Sequence, residues 1–235
     1  MLYGLIDGEL RQPRAPGERA ACRACAGPLL ALLPGDGPPQ WRHVAGDCDA
    51  WDEPELAWHA AWKERFPAAL REIPLEDPAT SERHRADLCA PGTGGRRTVV
   101  ELQHAPLPEA EIWRREDFYL RQGRLYWLLH VHDEGQGALR TCMQVSIAAG
   151  GRSARSQGAD FTVLRLPGRS VQFIEQWKRS SAYVLLDIGG QLHHFATRRR
   201  SEDLLRELQR GEFALRPLKT ESFLAVVAPP APAPP

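Results

Sequence analysis

The sequence predicts an α+β fold with a mixed sheet, preceded by a small cysteine-rich module and followed by a C-terminal α/β extension. From residue 52 onward, helical and strand periodicities follow one another in the order helix, three strands, helix, strand. Residues 20–50 are instead rich in Cys, Pro and Gly and show little periodicity, which is typical of a small module held together by something other than an apolar core. The predicted parts are an N-terminal strand and Cys/His module (residues 1–50), a core (51–135), an extension (136–227) and a disordered Pro-rich tail (228–235).

Composition sets limits on the function. Hydrophobic residues make up 43% and charged residues 26%, as in ordinary globular proteins. The 30 basic and 30 acidic residues give a net charge of zero, so the chain as a whole is not drawn to nucleic acid or membranes. A local basic groove remains compatible with this balance, because the field depends on where the charges lie. No apolar run approaches the ~18 residues of a membrane span. The N-terminus lacks a signal-peptide pattern, so we expect a cytoplasmic protein.

The first elements are predicted from short patterns. "MLYGLIDGEL" indicates one or two short strands around a turn at Asp7 and Gly8. "DEPELAWHAAWKERF" then predicts a helix, with Asp52 as the N-cap and Glu55 three residues later. Its apolar residues recur at i, i+4 and i+8, which defines one buried stripe: Trp58, Trp62 and Phe66.

The following elements complete the predicted core. Strands are expected near residues 69–75 and 83–89, and "RRTVVELQH" predicts a third strand after the turn "PGTGG". "PLPEAEIWRREDFYLRQG" predicts a helix that ends at Gly123, and the aromatic and aliphatic "RLYWLLHVHD" a fourth strand. In the extension, "SVQFIEQWK" and "SEDLLRELQRG" indicate helices, and "SAYVLLDIGGQLHHFA" a hairpin.

Four residues near the N-terminus form a candidate zinc site: Cys22, Cys25, His43 and Cys48. A CxxC turn can direct two sulfurs at one ion, and four such ligands suit tetrahedral Zn²⁺. Metal binding would supply folding energy that this Gly- and Pro-rich stretch lacks. A redox CxxC motif and unliganded thiols are the alternatives, and either Cys48 or His43 could be the weaker ligand.

Two carboxylates are predicted to meet in the hairpin between the second and third core strands. A symmetric hairpin centred on Gly94 pairs Asp87 with Glu101 and Arg85 with Gln103. Like charges directly opposite one another destabilise a sheet unless something neutralises them, and a divalent cation such as Mg²⁺ or Mn²⁺ would do so. Two alternatives remain open, namely an asymmetric loop that shifts the register and pairing of Asp87 with a neighbouring arginine.

Five short motifs in a fixed order resemble the CoiA-like competence nuclease family: "WHAAWK", "HRAD", "ELQHAPL", "EIWRREDFY" and "RLYWLL". The resemblance covers about residues 20–132. It implies a PD-(D/E)xK-type core, whose element order is helix, three strands, helix, strand. It also implies hydrolysis of phosphodiester bonds in DNA, with Mg²⁺ or Mn²⁺ as the catalytic ion.

The resemblance also assigns roles to residues. Asp87 and Glu101 would be the metal ligands, and Gln103 stands where many relatives carry lysine. Glu55, placed in the first helix, would contribute a further carboxylate. Lys63 would supply the missing cation, with a solvated lysine on the helix surface as its alternative.

Further residues are candidates for contact with the substrate. His59 is expected to be either a core residue bonded to the backbone or a substrate contact. Arg115 and Tyr119 in the second helix are candidates for phosphate contact. The run Arg198–Arg200 could contact nucleic acid or be an ordinary solvated charge run.

Three functional hypotheses follow from these observations. The first is a metal-dependent DNA nuclease acting in competence, recombination or DNA processing, with DNA and other DNA-processing proteins as partners. The second is a nucleic-acid-binding subunit whose nuclease fold has lost catalysis, which the uncharged Gln103 supports. The third is a protein-interaction module. The sequence does not indicate an oligomeric state.

Overall fold

The computed structural model describes residues 1–51, 54–134, 138–166 and 168–229. The chain divides into a first unit, Met1–Ala90, and a second unit, Pro91–Pro235. Both are mixtures of helices and strands, which confirms the predicted α+β class. Among the described residues, no helix combines the length and the apolar character needed to cross a membrane. The domain limits drawn from the sequence stay predictions.

The first unit begins with a five-stranded antiparallel sheet in the order β2-β1-β3-β4-β5. Its strands are β1 (Gly4–Ile6), β2 (Glu9–Arg11), β3 (Arg19–Ala21), β4 (Pro28–Leu32) and β5 (Gln40–His43). The turn predicted between the first two strands is confirmed, since Asp7 and Gly8 both have positive φ, at 51° and 83°.

The Cys-rich module does contain an apolar core, contrary to the expectation from its sequence. Met1, Cys22, Leu29 and Trp41 pack together and are at most 3% exposed. The expectation was wrong because these residues are far apart in the sequence, and only Leu29 and Trp41 lie in strands, so no periodic pattern forms along the chain.

Helix α1 (Ala57–Glu64) begins later than predicted. Its buried face carries Trp62, and Phe66 just beyond the helix is also buried, as the apolar stripe predicted. Glu55 precedes the helix, so the prediction that it lies within it is wrong. The reason is a pair of hydrogen bonds that hold Glu55 outside the helix: its N–H donates to Gln40 Oε1 at 3.2 Å, and its carbonyl accepts from Gln40 Nε2 at 3.4 Å. The predicted cap, Asp52, lies outside the described residues.

Two antiparallel strands complete the first unit. They are β6 (Arg71–Glu76) and β7 (Arg83–Pro91), as predicted from residues 69–75 and 83–89. Arg71 pairs with Leu88 and Ile73 pairs with Ala86, so Glu72 and Asp87 lie between these two pairs.

The second unit is built on a mixed sheet in the order β10-β11-β14-β13-β12-β9-β8. Its strands are β8 (Arg97–Gln103), β9 (Gly123–Val131), β10 (Arg152–Ser156), β11 (Ala159–Arg165), β12 (Tyr183–Ile188), β13 (Gln191–Phe195) and β14 (Glu212–Pro217). Neighbours β8 and β9, and β9 and β12, are parallel, whereas the remaining pairs are antiparallel. Its helices are α2 (Glu109–Gln122), α3 (Leu139–Ala149), α4 (Val171–Lys178), α5 (Glu202–Leu205) and α6 (Thr220–Val227).

The predicted order of the core elements along the chain is confirmed as α1, β6, β7, β8, α2 and β9. In the extension, α4 and the β12–β13 hairpin are also confirmed, with positive φ at Gly189 and Gly190. The helix predicted over 201–211 is wrong in length. It ends at Leu205 because the next N–H groups, of Glu207 and Leu208, donate to carbonyls three residues back instead of four, and the chain then enters β14 at Glu212. Of the predicted Pro-rich tail, residues 230–235 lie outside the described residues.

The junction between α2 and β9 requires a glycine because of close backbone approach. A Cβ on Gly123 would lie 2.0 Å from the Arg97 carbonyl oxygen and 2.6 Å from its nitrogen. These atoms belong to the first residue of β8, which pairs in parallel with Gly123.

We therefore expect Gly123→Ala to destabilise the protein by about 1–3 kcal/mol, the usual cost of overpacking a tight site. The measurement is urea unfolding followed by circular dichroism. Gly35→Ala is the control, because a Cβ there meets no atom within 4 Å. Equal unfolding midpoints for Gly123→Ala and the wild type would contradict the backbone argument.

Candidate active site and candidate metal centre

A buried ammonium lies at the centre of the candidate active site in the first unit. Lys63, on α1, has a side chain that is only 1% exposed. Its Nζ contacts three carboxylates: Glu55 Oε1 at 2.5 Å, Asp87 Oδ1 at 2.8 Å and Glu72 Oε1 at 3.0 Å. The alternative of a solvated surface lysine is therefore wrong. Sequence-predicted site residues Glu55, Lys63 and Asp87 come together, and Glu72 joins them.

Glu72 is the cluster residue that sequence reasoning missed. It lies on β6 at the position facing Asp87 on β7, with a positive φ of 50° that is rare for a glutamate. The backbone N–H groups of Leu2 and Tyr3 donate to its two carboxylate oxygens at 2.7 and 3.0 Å. No sequence pattern signals such a local backbone distortion, so a plain strand alternation gives Glu72 no special position.

Burial and charge together set the ionisation of the cluster. Burial opposes the charge on Lys63, but attraction to Asp87 and the two glutamates outweighs it and raises the Lys63 pKa well above its ordinary value. Burial likewise opposes the charge on Glu72, yet attraction to Lys63 lowers the pKa of that carboxyl below its ordinary range. Burial raises the pKa of Glu55 to about 7 against the attraction of Lys63. Lys63 therefore stays an ammonium, whereas Glu55 titrates near neutral pH.

The two remaining predicted catalytic residues lie on β8 in the second unit. Glu101 and Gln103 are 5% and 4% exposed. Gln103 Nε2 donates to the Ala105 carbonyl at 2.7 Å, so this amide holds the backbone just after the strand. The pairing of Glu101 with Asp87 stays a prediction.

The predicted substrate contacts are largely buried. His59 is 4% exposed, and its Nδ1 accepts the Leu56 N–H at 3.2 Å, which caps α1 as the core alternative predicted. On α2, Arg115 forms an ion pair with Glu111 at 3.1 Å, and Tyr119 is 1% exposed. Contact of these side chains with a substrate stays a prediction.

Comparisons with known proteins identify no relative of this chain. No protein-family model, curated protein or solved structure matches the chain. The resemblance to the CoiA-like family and the function drawn from it therefore stay predictions from the residues.

The four predicted zinc ligands do form a cluster. The ligand atoms of Cys22, Cys25, His43 and Cys48 all lie within 4.8 Å of one another. Cys22 Sγ is 3.8 Å from Cys48 Sγ, and Cys25 Sγ is 3.4 Å from His43 Nε2. Three sulfurs and one imidazole are a donor set for tetrahedral Zn²⁺, so this cluster could bind a structural zinc ion.

Backbone N–H groups lie beside two sulfurs of this cluster. The turn after β3 is closed by a 2.9 Å hydrogen bond from the Ala26 N–H to the Cys22 carbonyl, with Ala26 at a positive φ of 58°. In this turn the Ala24 N–H lies 3.3 Å from Cys22 Sγ, and the Gly27 N–H lies 3.3 Å from Cys25 Sγ. Burial opposes the charge on Cys25, but hydrogen bonds from Gly27 and neighbouring side chains outweigh it and lower the pKa of that thiol to about 7, toward the charged form that a metal requires.

Asp47 orients the histidine of the cluster. His43 Nδ1 lies 3.2 Å from Asp47 Oδ1, which leaves Nε2 directed at the sulfurs. A carboxylate on the far ring nitrogen is the usual partner of a zinc-binding histidine, since it selects the tautomer and increases ligand basicity.

Asp49 connects the end of the zinc cluster to the strand that carries Asp87. Its Oδ1 lies 2.8 Å from His84 Nδ1, and its Oδ2 accepts the Arg85 N–H at 2.6 Å. Trp51 stacks on the His84 ring with centroids 3.1 Å apart. The residue next to Cys48 is thus bonded to β7 within two positions of Asp87, so order in the zinc cluster supports order in the candidate active site.

We expect the purified protein to contain about one zinc ion per chain. Cys25→Ser should lose the metal and unfold at a lower temperature, because the remaining ligands cannot close a tetrahedral site. Elemental analysis and thermal denaturation test this. Cys142→Ser, outside the cluster, is the control and should keep its zinc; full zinc content in Cys25→Ser would contradict the assignment.

The raised pKa of Glu55 predicts a pH dependence of stability. The ordinary value is 4.5 and the folded value is about 7, so folding favours the protonated carboxyl. Its contribution is fully present below pH 4.5 and is lost as the pH rises to about 7. The free energy of unfolding of Glu55→Gln, measured relative to the wild type, should therefore increase by roughly 1–3 kcal/mol as the pH rises from 5 to 8, because its amide does not ionise.

The measurement is the free energy of urea unfolding at several pH values for both proteins. Contributions from groups common to both proteins, including the histidines, cancel in this difference. Glu64→Gln, an exposed glutamate on the same helix, is the matched control. A difference between Glu55→Gln and the wild type that does not vary with pH would show that Glu55 does not titrate as inferred.

Proposed function

We propose that this chain is a divalent-metal-dependent nuclease that hydrolyses phosphodiester bonds in DNA, with a PD-(D/E)xK-type core of the CoiA-like kind. The observation that carries the proposal is the contact of Lys63 Nζ with Asp87 Oδ1 at 2.8 Å inside a buried cluster. A nuclease of this type needs a cation beside a metal-binding carboxylate. Here the cation comes from helix α1, which accounts for the glutamine at position 103.

The exposure of the cluster supports this assignment. Lys63 and Glu72 are 1% and 4% exposed, whereas the Asp87 side chain is 21% exposed. Asp87 is thus the member of the cluster that solvent, a metal ion or a phosphate can reach. Buried charged groups with strongly shifted pKa values are also typical of functional sites.

The carboxylates proposed to hold the metal are Asp87 and Glu101, whose hard oxygens suit Mg²⁺ or Mn²⁺. When bound, the ion would lower the pKa of a water molecule and stabilise negative charge on the phosphate. Structural zinc in the N-terminal cluster would serve stability instead, in keeping with its sulfur-rich ligands.

The other side chains have roles that follow from their own chemistry. Lys63 stays charged, so it cannot accept a proton, and it serves to hold Asp87 and to offset negative charge. Gln103 has no proton-accepting nitrogen and positions the backbone at Ala105. Glu55, with a pKa of about 7, is the group in this cluster that can exchange a proton near neutral pH.

A second candidate is a nucleic-acid-binding subunit without catalysis, and one observation favours it. Gln103 stands at the position of the usual lysine and is bonded to its own backbone segment. In that case Lys63 would serve only to stabilise the buried carboxylates. Binding of DNA would persist, and cleavage would be absent.

Cleavage of labelled single- and double-stranded DNA with Mg²⁺ or Mn²⁺ separates the two candidates. We expect metal-dependent cleavage by the wild type and a loss of roughly 100-fold or more in Asp87→Asn and in Glu101→Gln, because each change removes a charged metal ligand. Asp160→Asn, an exposed carboxylate on β11, should retain full activity.

Two outcomes oppose the nuclease proposal. Wild-type protein that binds DNA without cleaving it would establish the binding subunit instead. Cleavage that is equally fast in all three variants would show that Asp87 and Glu101 are not the catalytic carboxylates.

A further inference from the structure

Two cavities adjoin each other in the second unit. The first has a volume of about 510 Å³ and lies at the end of β8, where Gln103 and His104 line it. Its other walls include His130 from β9 and the aromatic side chains of Phe173 and Trp177 from α4. It is therefore a mostly apolar, ring-lined pocket with a few polar groups at the end of the strand that carries Glu101.

The second cavity is larger, about 940 Å³, and is lined mainly by charged side chains. Its five basic residues are Lys178, Arg179, Arg198, Arg206 and Arg210, against three acidic residues, Glu109, Glu175 and Glu202. The lining thus carries an excess of two positive charges, although the whole chain has a net charge of zero.

The arginines of this cleft differ in whether an acidic side chain already holds them. Arg179 is paired with Glu109 at 2.8 Å, and Arg206 is paired with Glu202 at 2.8 Å. By contrast, Arg198 and Arg210 are exposed and form no ion pair within 4.0 Å in the described part of the chain, although Arg210 also attracts the Glu175 carboxylate. Exposed guanidinium groups in a cleft are suited to phosphate oxygens.

The ring-lined pocket and the basic cleft are continuous. Leu107, Pro108, Gln172 and Gln176 line both of them. Gln176 Nε2 donates to the Leu107 carbonyl at 2.6 Å, which ties helix α4 to the segment after β8 at the junction of the two cavities. A ligand can therefore extend from flat rings at one end to cationic groups at the other.

We propose that these two cavities form one groove for a single-stranded polynucleotide, with an unpaired base in the pocket beside Phe173 and backbone phosphates at Arg198 and Arg210. The class of ligand rests on the proposed function, whereas the location rests on the two cavities. Aromatic rings beside a positively charged channel are the combination by which proteins hold single strands. The pocket requires an unpaired base, because bases within a duplex are stacked and paired and cannot turn out into a side pocket.

The test is binding of a fluorescent 20-nucleotide thymidine oligomer, measured by anisotropy at several salt concentrations without added divalent cation. We expect Arg198→Ala with Arg210→Ala to weaken binding about tenfold at low salt. The slope of log affinity against log salt should fall by about 1.4, since each lost phosphate contact in a single strand removes about 0.7. Arg155→Ala with Arg165→Ala is the control of equal charge change, because these exposed arginines line neither cavity.

A second pair of variants tests the base pocket. Phe173→Leu keeps an apolar side chain but loses the ring, and should weaken binding about fivefold, whereas Phe173→Tyr should bind as the wild type does. Comparable loss in Leu and Tyr variants, or none in Leu, would overturn the placement of a base beside this ring. Two further ligands complete the set. The same oligomer as a duplex should bind more weakly than the single strand. A uridine oligomer should bind, as the thymidine oligomer does.

Failure of this inference can be told apart from failure of the proposed function. Unchanged affinity and salt slope in the Arg198→Ala, Arg210→Ala variant would overturn the groove, even if the wild type cleaves DNA. Duplex binding as tight as single-strand binding would overturn the single-strand assignment. Absence of cleavage with both Mg²⁺ and Mn²⁺ would refute the nuclease proposal, and the binding measurements would still support or overturn the groove.

Discussion

The buried ammonium of Lys63 is the interaction on which the first unit depends. Removing an ammonium from water costs several kcal/mol, which its neighbours offset only when their geometry is good. The three carboxylates come from the segment before α1, from β6 and from β7, so all three must be in place together. Loss of one partner from a buried ion pair typically costs about 3–5 kcal/mol. The cluster therefore contributes to the stability of the first unit and is also a candidate for catalysis.

The candidate site was predictable from the sequence where it depends on local pattern and unpredictable where it depends on tertiary partners. Helical spacing put Lys63 beside the apolar stripe of α1, but the same spacing allowed both a surface lysine and a buried one. Its carboxylate partners decided between them. Glu55 was misplaced because the Gln40 side chain, far away in sequence, holds it outside the helix. Glu72 was missed because its position depends on a distorted backbone in β6.

The same distinction holds for the fold. The core elements and the β12–β13 hairpin have strong periodicity or a Gly-Gly turn, and the sequence predicts them. The patterns of strands β10, β11 and β14 and of helices α3 and α6 are weak, because these elements depend mainly on their neighbours in the second unit. The proposed groove combines residues from 103–108 with residues from 172–210. A net charge of zero hides the excess of positive charge that folding collects there.

Three carboxyl groups contact the Lys63 ammonium, and this number affects how well Asp87 could bind the proposed metal ion. A lysine bonded directly to a metal-binding aspartate would normally compete with the metal for that aspartate. Here Glu72, and Glu55 when it is ionised, also contact the ammonium, so the positive charge is not neutralised by Asp87 alone. Glu72 stays ionised at neutral pH, because its pKa is held below the ordinary range. Asp87 therefore keeps negative potential at its exposed side while Lys63 holds it in position, which is the combination that the proposed divalent cation would require.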